Sequence, residues 1–374
     1  MSNYFFLIVG WRPIAANRID TLSKTKFDKL IKRVSVEPLG NMYKDKGYHI
    51  HSIQPISDNR GSYWMTARNA ANSIVYADGV IKESRENYSG TEDTLHSCLF
   101  VGKYKVLFFE MSEAAIMDQD QLVCKLPFKL WSYLSHCSVQ YCRHPFISEG
   151  KMYVIGNNKQ LFRCNIQAIN CMLSKDRKNE QKSETNLKIE DYVVLVDQDV
   201  HDCCVDTITG VVYYLTAHGR VMTVNKRLVY IDKTPLSCDS HATAIAAIGQ
   251  SIVVASIINP DTSSLSLICM QLLNARGRRV YESSIKTASN HEYISYMIAF
   301  EVRRCRILVC TRVLALCDIY AIHGDKLHLI DNKMKVSSYA TYSIWDLLVE
   351  VDKNKADIIF VGFEIFNRIT ISIK

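Results

Sequence analysis

Imidazoles recur along this chain in one repeated setting. His51, His96, His136, His201, His241 and His291 each stand just ahead of a short apolar run, as in "LHSCLFVG", "VHDCCVDT" and "SHATAIAAIG". A seventh copy of the phrase, "YATYSIWDLLVEV" around Tyr342, lacks the histidine. Histidine titrates near neutral pH and is the commonest metal ligand, so six such rings could make a metal centre or a pH sensor. The competing role is structural, each ring hydrogen-bonding a neighbouring turn. Equivalent residues of successive repeats stand too far apart to share an ion whose ligands lie about 2 Å away. The expectation is therefore six structural histidines and no metal.

Other chemistry-bearing groups are fewer. Asp197, Asp199, Asp202 and Asp206 crowd one repeat, where they could serve acid–base work or bind calcium. They alternate with apolar residues around the start of a strand, and a solvated rim is the expected outcome. No glycine loop of the GxxxxGK type, no GxGxxG, no HExxH and no GxSxG is present. "HEYIS" at His291 lacks the second histidine of a zinc helix. These absences predict a non-enzyme that needs no cofactor and takes no small-molecule substrate.

The elements that position these groups follow from the repeat. Its copies lie 40 to 51 residues apart, save one step of 65. A period in this range is the mark of a repeat architecture. Within each copy the apolar runs have strand length and are rich in Val, Ile, Tyr and Thr, with Gly or charged turns between them. One copy reads "CLFV", "KVLFFEM", "AAIMDQ", "QLVCKLP"; another reads "CCVDT", "VVYYLTA", "RVMTVN", "LVYID". Four short strands per unit, seven units in all, predict an all-β, seven-bladed β-propeller. The long step contains Leu173–Asp191, charged and almost free of apolar residues, which reads as an exposed loop.

The last unit is one strand short, and "YFFLIVG" (Tyr4–Gly10) stands far ahead of the first. Pairing Tyr4–Gly10 with the C-terminal strand Arg368–Lys374 would complete that blade and clasp the ring. The organisation expected is a closing strand in residues 1–10, a basic segment in 11–45, and propeller repeats in 46–374. In the basic segment Phe27, Leu30, Ile31 and Val34 fall at helical spacing while Lys24, Lys26, Lys29, Lys32 and Arg33 crowd the remainder. A short amphipathic helix is predicted there. Its functional reading is a partner-docking or phosphate-contacting element formed by Lys24, Lys26, Phe27, Lys29, Leu30, Ile31, Lys32 and Arg33.

Composition narrows the partners. The 374 residues are 48% hydrophobic and 22% charged, with net charge +7. Residues 1–47 hold nine Lys/Arg against four acids, so the rest is nearly neutral, unlike a dedicated nucleic-acid binder. Thirteen cysteines, an odd number with no CxxC, sit mostly in apolar runs. That is the pattern of reduced thiols in a cytoplasmic or nuclear protein. No segment is long and apolar enough to predict a membrane span.

In this rhythm the chain resembles the WD40-like β-propellers over nearly its whole length. Its single Trp-Asp pair, Trp345–Asp346, falls in the first strand of the last unit, whereas in that family the pair closes the third. The repeated histidine resembles the family's Gly-His position, although no glycine precedes it. The kelch Gly-Gly doublet is absent. The resemblance implies a scaffold for protein–protein interaction within an intracellular complex. An RNA-binding propeller using a basic face is the alternative, and an enzyme with a site in the central channel is the third reading.

Overall fold

A computed structural model describes residues 31–39, 50–56, 61–67, 73–84, 95–101, 104–109, 113–118, 121–129, 146–148, 151–155, 160–165, 192–196, 200–216, 219–224, 228–230, 240–258, 267–287, 292–313, 315–336, 344–362 and 365–373. Among these residues there are strands and no helix. After β1 (Ile31–Pro38) come β2 (Ile50–Pro55), β3 (Tyr63–Ala67), β4 (Ser73–Ala77) and β5 (Val80–Ser84), which form one sheet. The next sheet is β6 (Leu95–Val101), β7 (Tyr104–Phe109), β8 (Glu113–Asp118) and β9 (Gln121–Lys129). It is followed by β10 (Phe146–Ser148), β11 (Lys151–Ile155), β12 (Leu161–Asn165) and β13 (Tyr192–Val196).

A fourth sheet holds β14 (Val200–Val205), β15 (Val212–Thr216), β16 (Val221–Thr223) and β17 (Leu228–Tyr230). The fifth holds β18 (Ser240–Ile248), β19 (Ser251–Ile258), β20 (Leu267–Leu273) and β21 (Arg279–Lys286). The sixth holds β22 (Ile294–Val302), β23 (Cys305–Arg312), β24 (Leu316–His323) and β25 (Lys326–Lys335). The last holds β26 (Ile344–Asp352), β27 (Lys355–Gly362) and β28 (Ile365–Ile373), with β1 as its fourth strand. Among the described residues there are thus seven four-stranded sheets, each the meander expected of a propeller blade. Alternating direction puts the turn between strands one and two at the same end of a sheet as the turn between strands three and four.

The chain divides into two compact units. One comprises residues 1–40, 203–360 and 365–374, and the other 41–202 and 361–364. Within the first unit, the sheets pack face to face through their interiors. Leu215 and Tyr213 of β15 meet Ile245 and Ala247 of β18. Met270 and Leu272 of β20 meet Met297 of β22 and Leu308 of β23. Val309 and Ile319 share a core with Ile358, Phe360, Ile369 and Ile371. Strands covered on both faces lose the alternation of half-buried ones. Accordingly, β27 is buried at every position after its first, and β15 throughout. In the second unit Trp64 of β3 packs with Cys98, Leu107 and Phe109 of the next sheet, its ring edge-on to Phe100 at 5.8 Å.

The N-terminal region departs from expectation. The edge of β28 expected to receive Tyr4–Gly10 is occupied by β1, with Val34 opposite Ile371, Ser35 opposite Thr370 and Val36 opposite Ile369. Leu39 N–H extends the ladder to Phe366 C=O at 2.9 Å, and Arg368 pairs with Glu37 at 2.6 Å. Tyr4–Gly10 lies outside the described residues. The amphipathic helix is likewise not supported, since Ile31–Pro38 is strand. β-Branched Ile31, Val34 and Val36 favour an extended chain, and an open sheet edge supplies a ladder that an isolated helical turn lacks. Val34 packs onto the core of the last two sheets.

The expected loop, 173–191, lies outside the described residues, but its flanks are placed. Cys164 of β12 stands opposite Tyr192 of β13, so the insertion joins the third and fourth strands of one sheet.

If β1 completes the last sheet, removing residues 1–40 will expose β28, whereas removing 1–30 leaves that pairing intact. The longer deletion should lower the melting temperature by on the order of 5 °C relative to the shorter one and promote aggregation. Thermal melts with size-exclusion chromatography of the two truncations check this.

Candidate functional site

Two of the recurring histidines, His51 and His96, share a backbone setting. Pairing slips by one residue at His51, between Ile50 opposite Ala67 and Ser52 opposite Thr66. It slips again at His96, between Leu95 opposite Phe109 and Ser97 opposite Phe108. The same slip falls at Thr243 in β18 and at Ser295 in β22. There the bulged hydroxyl donates to the opposite strand, Thr243 to Ala255 C=O at 3.4 Å and Ser295 to Thr311 C=O at 3.2 Å. The repeated element is therefore a β-bulge near the start of the first strand, which sharpens local twist. His201 is the second residue of β14 and is buried. His241 stands two residues before the bulge of β18, opposite Ile257. His136 and His291 lie outside the described residues. No group of three or more His, Cys, Asp or Glu side chains within metal-binding reach occurs among the described residues.

The acidic cluster behaves differently from the solvated rim expected of it. Asp197 and Asp199 lie outside the described residues, while Asp202 is 8% exposed and Asp206 fully buried. Asp206 closes the turn after β14: its Oδ1 accepts from Ile208 N–H at 3.0 Å and Thr209 N–H at 3.3 Å. The same carboxylate reaches the first turn of the next sheet. Oδ1 accepts from Gly249 N–H and Oδ2 from Gln250 N–H, both at 2.8 Å. Gly249 and Gln250 have φ of 54° and 69°, the left-handed pair of a type I′ hairpin whose adjacent amides form an anion cradle. Buried carboxylates need such donors, and here four backbone amides from two sheets supply them. A Cβ at Gly249 would come within 2.5 Å of the Arg306 guanidinium of the following sheet, the far end of a long side chain that can move aside, so it is the left-handed φ that favours glycine there.

A second buried polar group lies in the sixth sheet. Arg312 Nε donates to Asp318 Oδ2 at 2.6 Å and Nη1 to Glu292 Oε1 at 2.7 Å, with Nη2 also against Asp318. All three residues are essentially inaccessible. A buried guanidinium is tolerated when its charge is matched and its donors are used. Burial, then the Asp318 carboxylate, pushes the Cys310 and Cys317 thiols well above their usual range. They stay protonated and behave as packing groups. Cys98, Cys164, Cys203, Cys204, Cys269, Cys305, Cys310 and Cys317 are buried thiols outside any disulfide.

Of the residues proposed for docking, only Ile31, Lys32 and Arg33 fall among the described residues. Lys24, Lys26, Phe27, Lys29 and Leu30 lie outside the described residues. Ile31, Lys32 and Arg33 open β1, where Ile31 faces Ile373 and Arg33 faces Ser372 across an irregularity at Lys32. Sequence reasoning overlooked a different basic set, the turns of the fifth to seventh sheets. Arg276 and Arg278 flank the turn between β20 and β21; Arg303 and Arg304 form the turn between β22 and β23. Lys326 follows the turn between β24 and β25, and Lys353 lies between β26 and β27. All six are exposed. The signal was available as charged pairs set between strand-length apolar runs, "ARGRR" and "VRRC".

Replacing Asp206 with Ala strands four amides and should cost on the order of 3 kcal/mol. Asp206→Asn keeps the Oδ1 acceptor and should lose less; urea midpoints of the two variants test the order. Burial, and then the Asp206 carboxylate and the Cys204 thiol, push the Tyr213 hydroxyl up to about 12 from its ordinary 10.0. A raised folded-state value means stability is intact below pH 10 and is lost as pH climbs through the window to about 12. Tyr213→Phe should flatten part of that alkaline loss, read from unfolding midpoints across the window.

No protein-family profile matches the chain, and no curated protein matches it by sequence. Solved structures do. The N-terminal domain of Nup159 superposes with a TM-score of 0.50 at 8% identity, covering 90% of this chain and 95% of that one. Nup159 in an S. cerevisiae complex with Dbp5, Gle1, IP6 and ADP gives 0.52 at 8% identity, covering 91% and 96%. U3-55K gives 0.53 at 10% identity, covering 91% and 98%. These neighbours are WD40 β-propellers. At such identities the likeness is one of fold, and in fold the chain is an all-β propeller.

Proposed function

We propose that the chain is a non-catalytic β-propeller scaffold that mediates protein–protein interactions in an intracellular multiprotein complex, in the cytoplasm or nucleus. The seven sheets are read as seven blades of one propeller, with β1 closing the last. The observation that carries the functional reading is the fate of the chemically able side chains. Asp206, Arg312, Glu292 and Asp318 are spent on internal bonds. What the first unit presents outward is a set of turns held in register by Asp206 and Gly249. A rigid frame with displayed turns suits partner recognition. The propeller neighbour Nup159 is itself found bound with Dbp5, which supports a similar use here. Buried cysteines outside any disulfide support a reducing compartment.

RNA binding is the second reading, favoured by the exposed basic turns. Base stacking on aromatic rings is the usual companion of such charge, and every described Phe, Tyr and Trp whose burial is resolved is at least partly buried. Protein partners are therefore placed first.

Affinity purification of the tagged full chain, with and without nuclease, distinguishes the two. A defined set of proteins retained after nuclease treatment is the expected result. Loss of the whole set on nuclease treatment would move RNA to first place, and recovery of the chain alone would overturn both.

A further inference from the structure

One end of the sheets in the first unit is cationic, and its charges are unspent. Arg276, Arg278, Arg303, Arg304, Lys326 and Lys353 all sit at the end bearing the first and third turns of three successive sheets. None of the six side chains makes an ion pair among the described residues, whereas Arg279, Arg306 and Lys355 nearby are paired with Glu282, Glu301 and Asp357. Two exposed acids, Asp325 and Asp352, share that end. At the opposite end of the same sheets the described turn residues expose no charge: Glu292 is buried, and Arg312 beside it is paired inside the core.

A second observation concerns the backbone. Arg303 and Arg304 occupy the two central positions of a hairpin turn with φ of 49° and 67°. That conformation strongly prefers Asn-Gly or Asp-Gly, and side chains with a Cβ are strained in it. Two adjacent arginines there oppose local stability, and such outliers cluster where the side chains have a use. Guanidinium groups suit carboxylates, which they bind through paired N–H donors. The lack of exposed rings among the described residues argues against single-stranded nucleic acid.

We infer that this turn-bearing end of the fifth to seventh sheets is the docking surface for an acidic, Asp/Glu-rich segment of a protein partner, gripped by Arg303 and Arg304 with Arg276, Arg278, Lys326 and Lys353 around them. The inference rests on the reading of the chain as a protein scaffold and names the chemistry of what it holds.

The test uses the purified full chain, a fluorescent Glu/Asp-rich peptide and a labelled oligo-uridine of equal charge, titrated at several salt concentrations. In one variant Arg303→Asn and Arg304→Gly are combined, restoring the residues the turn prefers; Arg276→Glu/Arg278→Glu is a second. Arg220→Glu, an exposed arginine at the opposite end of the fourth sheet, is the control. The peptide should bind wild type and the control alike and lose about tenfold or more in each turn variant. The Asn-Gly variant should at the same time melt no lower than wild type, so that its lost affinity is not a folding defect. Tighter binding of the oligonucleotide, lost in the same variants, would assign the surface to RNA instead. No peptide binding, or equal loss in the control, would overturn the inference. If the nuclease-resistant partners persist in the turn variants, the scaffold reading stands and only this surface is wrong; if wild type has no partners, the scaffold reading itself fails.

Discussion

Among the described residues, the inner strands of the sheets are apolar on both faces and cannot cover either by themselves. Strands such as β15 and β27 are buried along nearly their whole length, so neither face of their sheets can meet water without losing on the order of 25 cal/mol for every Å² exposed. Within the first unit, face-to-face stacking of successive sheets answers that constraint, and other features follow from it. Polar groups inside the stack must find partners there, as Arg312 does with Glu292 and Asp318. The last sheet must acquire a fourth strand from elsewhere in the chain.

The same constraint explains what was readable in the sequence. Strand-length apolar runs separated by turn residues mark all the strands of the second and fourth sheets, because doubly buried strands carry an unbroken signal, but miss the first three residues of β6 and of β14. The closing strand was legible as a need but not as a place. Val34–Pro38 is only partly covered and the strand's sequence carries charge at Lys32, Arg33 and Glu37, so it reads as amphipathic, while "YFFLIVG" reads as a strand. The pairing that decided the matter is with residues more than 330 positions away, which no local pattern records. The repeated histidine marked a true structural period, yet the feature it tracked at His51 and His96 is a bulge that Thr243 and Ser295 fill in other sheets.

The acids and arginines were misjudged for a related reason. Alternation with apolar residues at the start of a strand makes Asp206 read as a solvated rim residue, but its cradle is the turn at Gly249 and Gln250, some 40 residues on. A bond between sheets leaves no trace in either segment alone. The turn arginines were passed over because a charged hairpin is ordinarily unremarked surface. Only the positive φ values of Arg303 and Arg304, together with the lack of partners, separate them from ordinary solvated charge.

The pairing of β1 with β28 also sets an order of events during synthesis. Ile31 leaves the ribosome more than 330 residues ahead of its partner Ile373. The strand that completes the final sheet must wait, unpaired, through the production of everything between them. Contacts of such long sequence separation form slowly, and a waiting strand is an invitation to wrong partners. Lysine and arginine at the head of β1, and proline at its tail, are residues that discourage edge-to-edge association. The charge that disguised this segment in the sequence is well suited to keeping it solitary until β28 emerges.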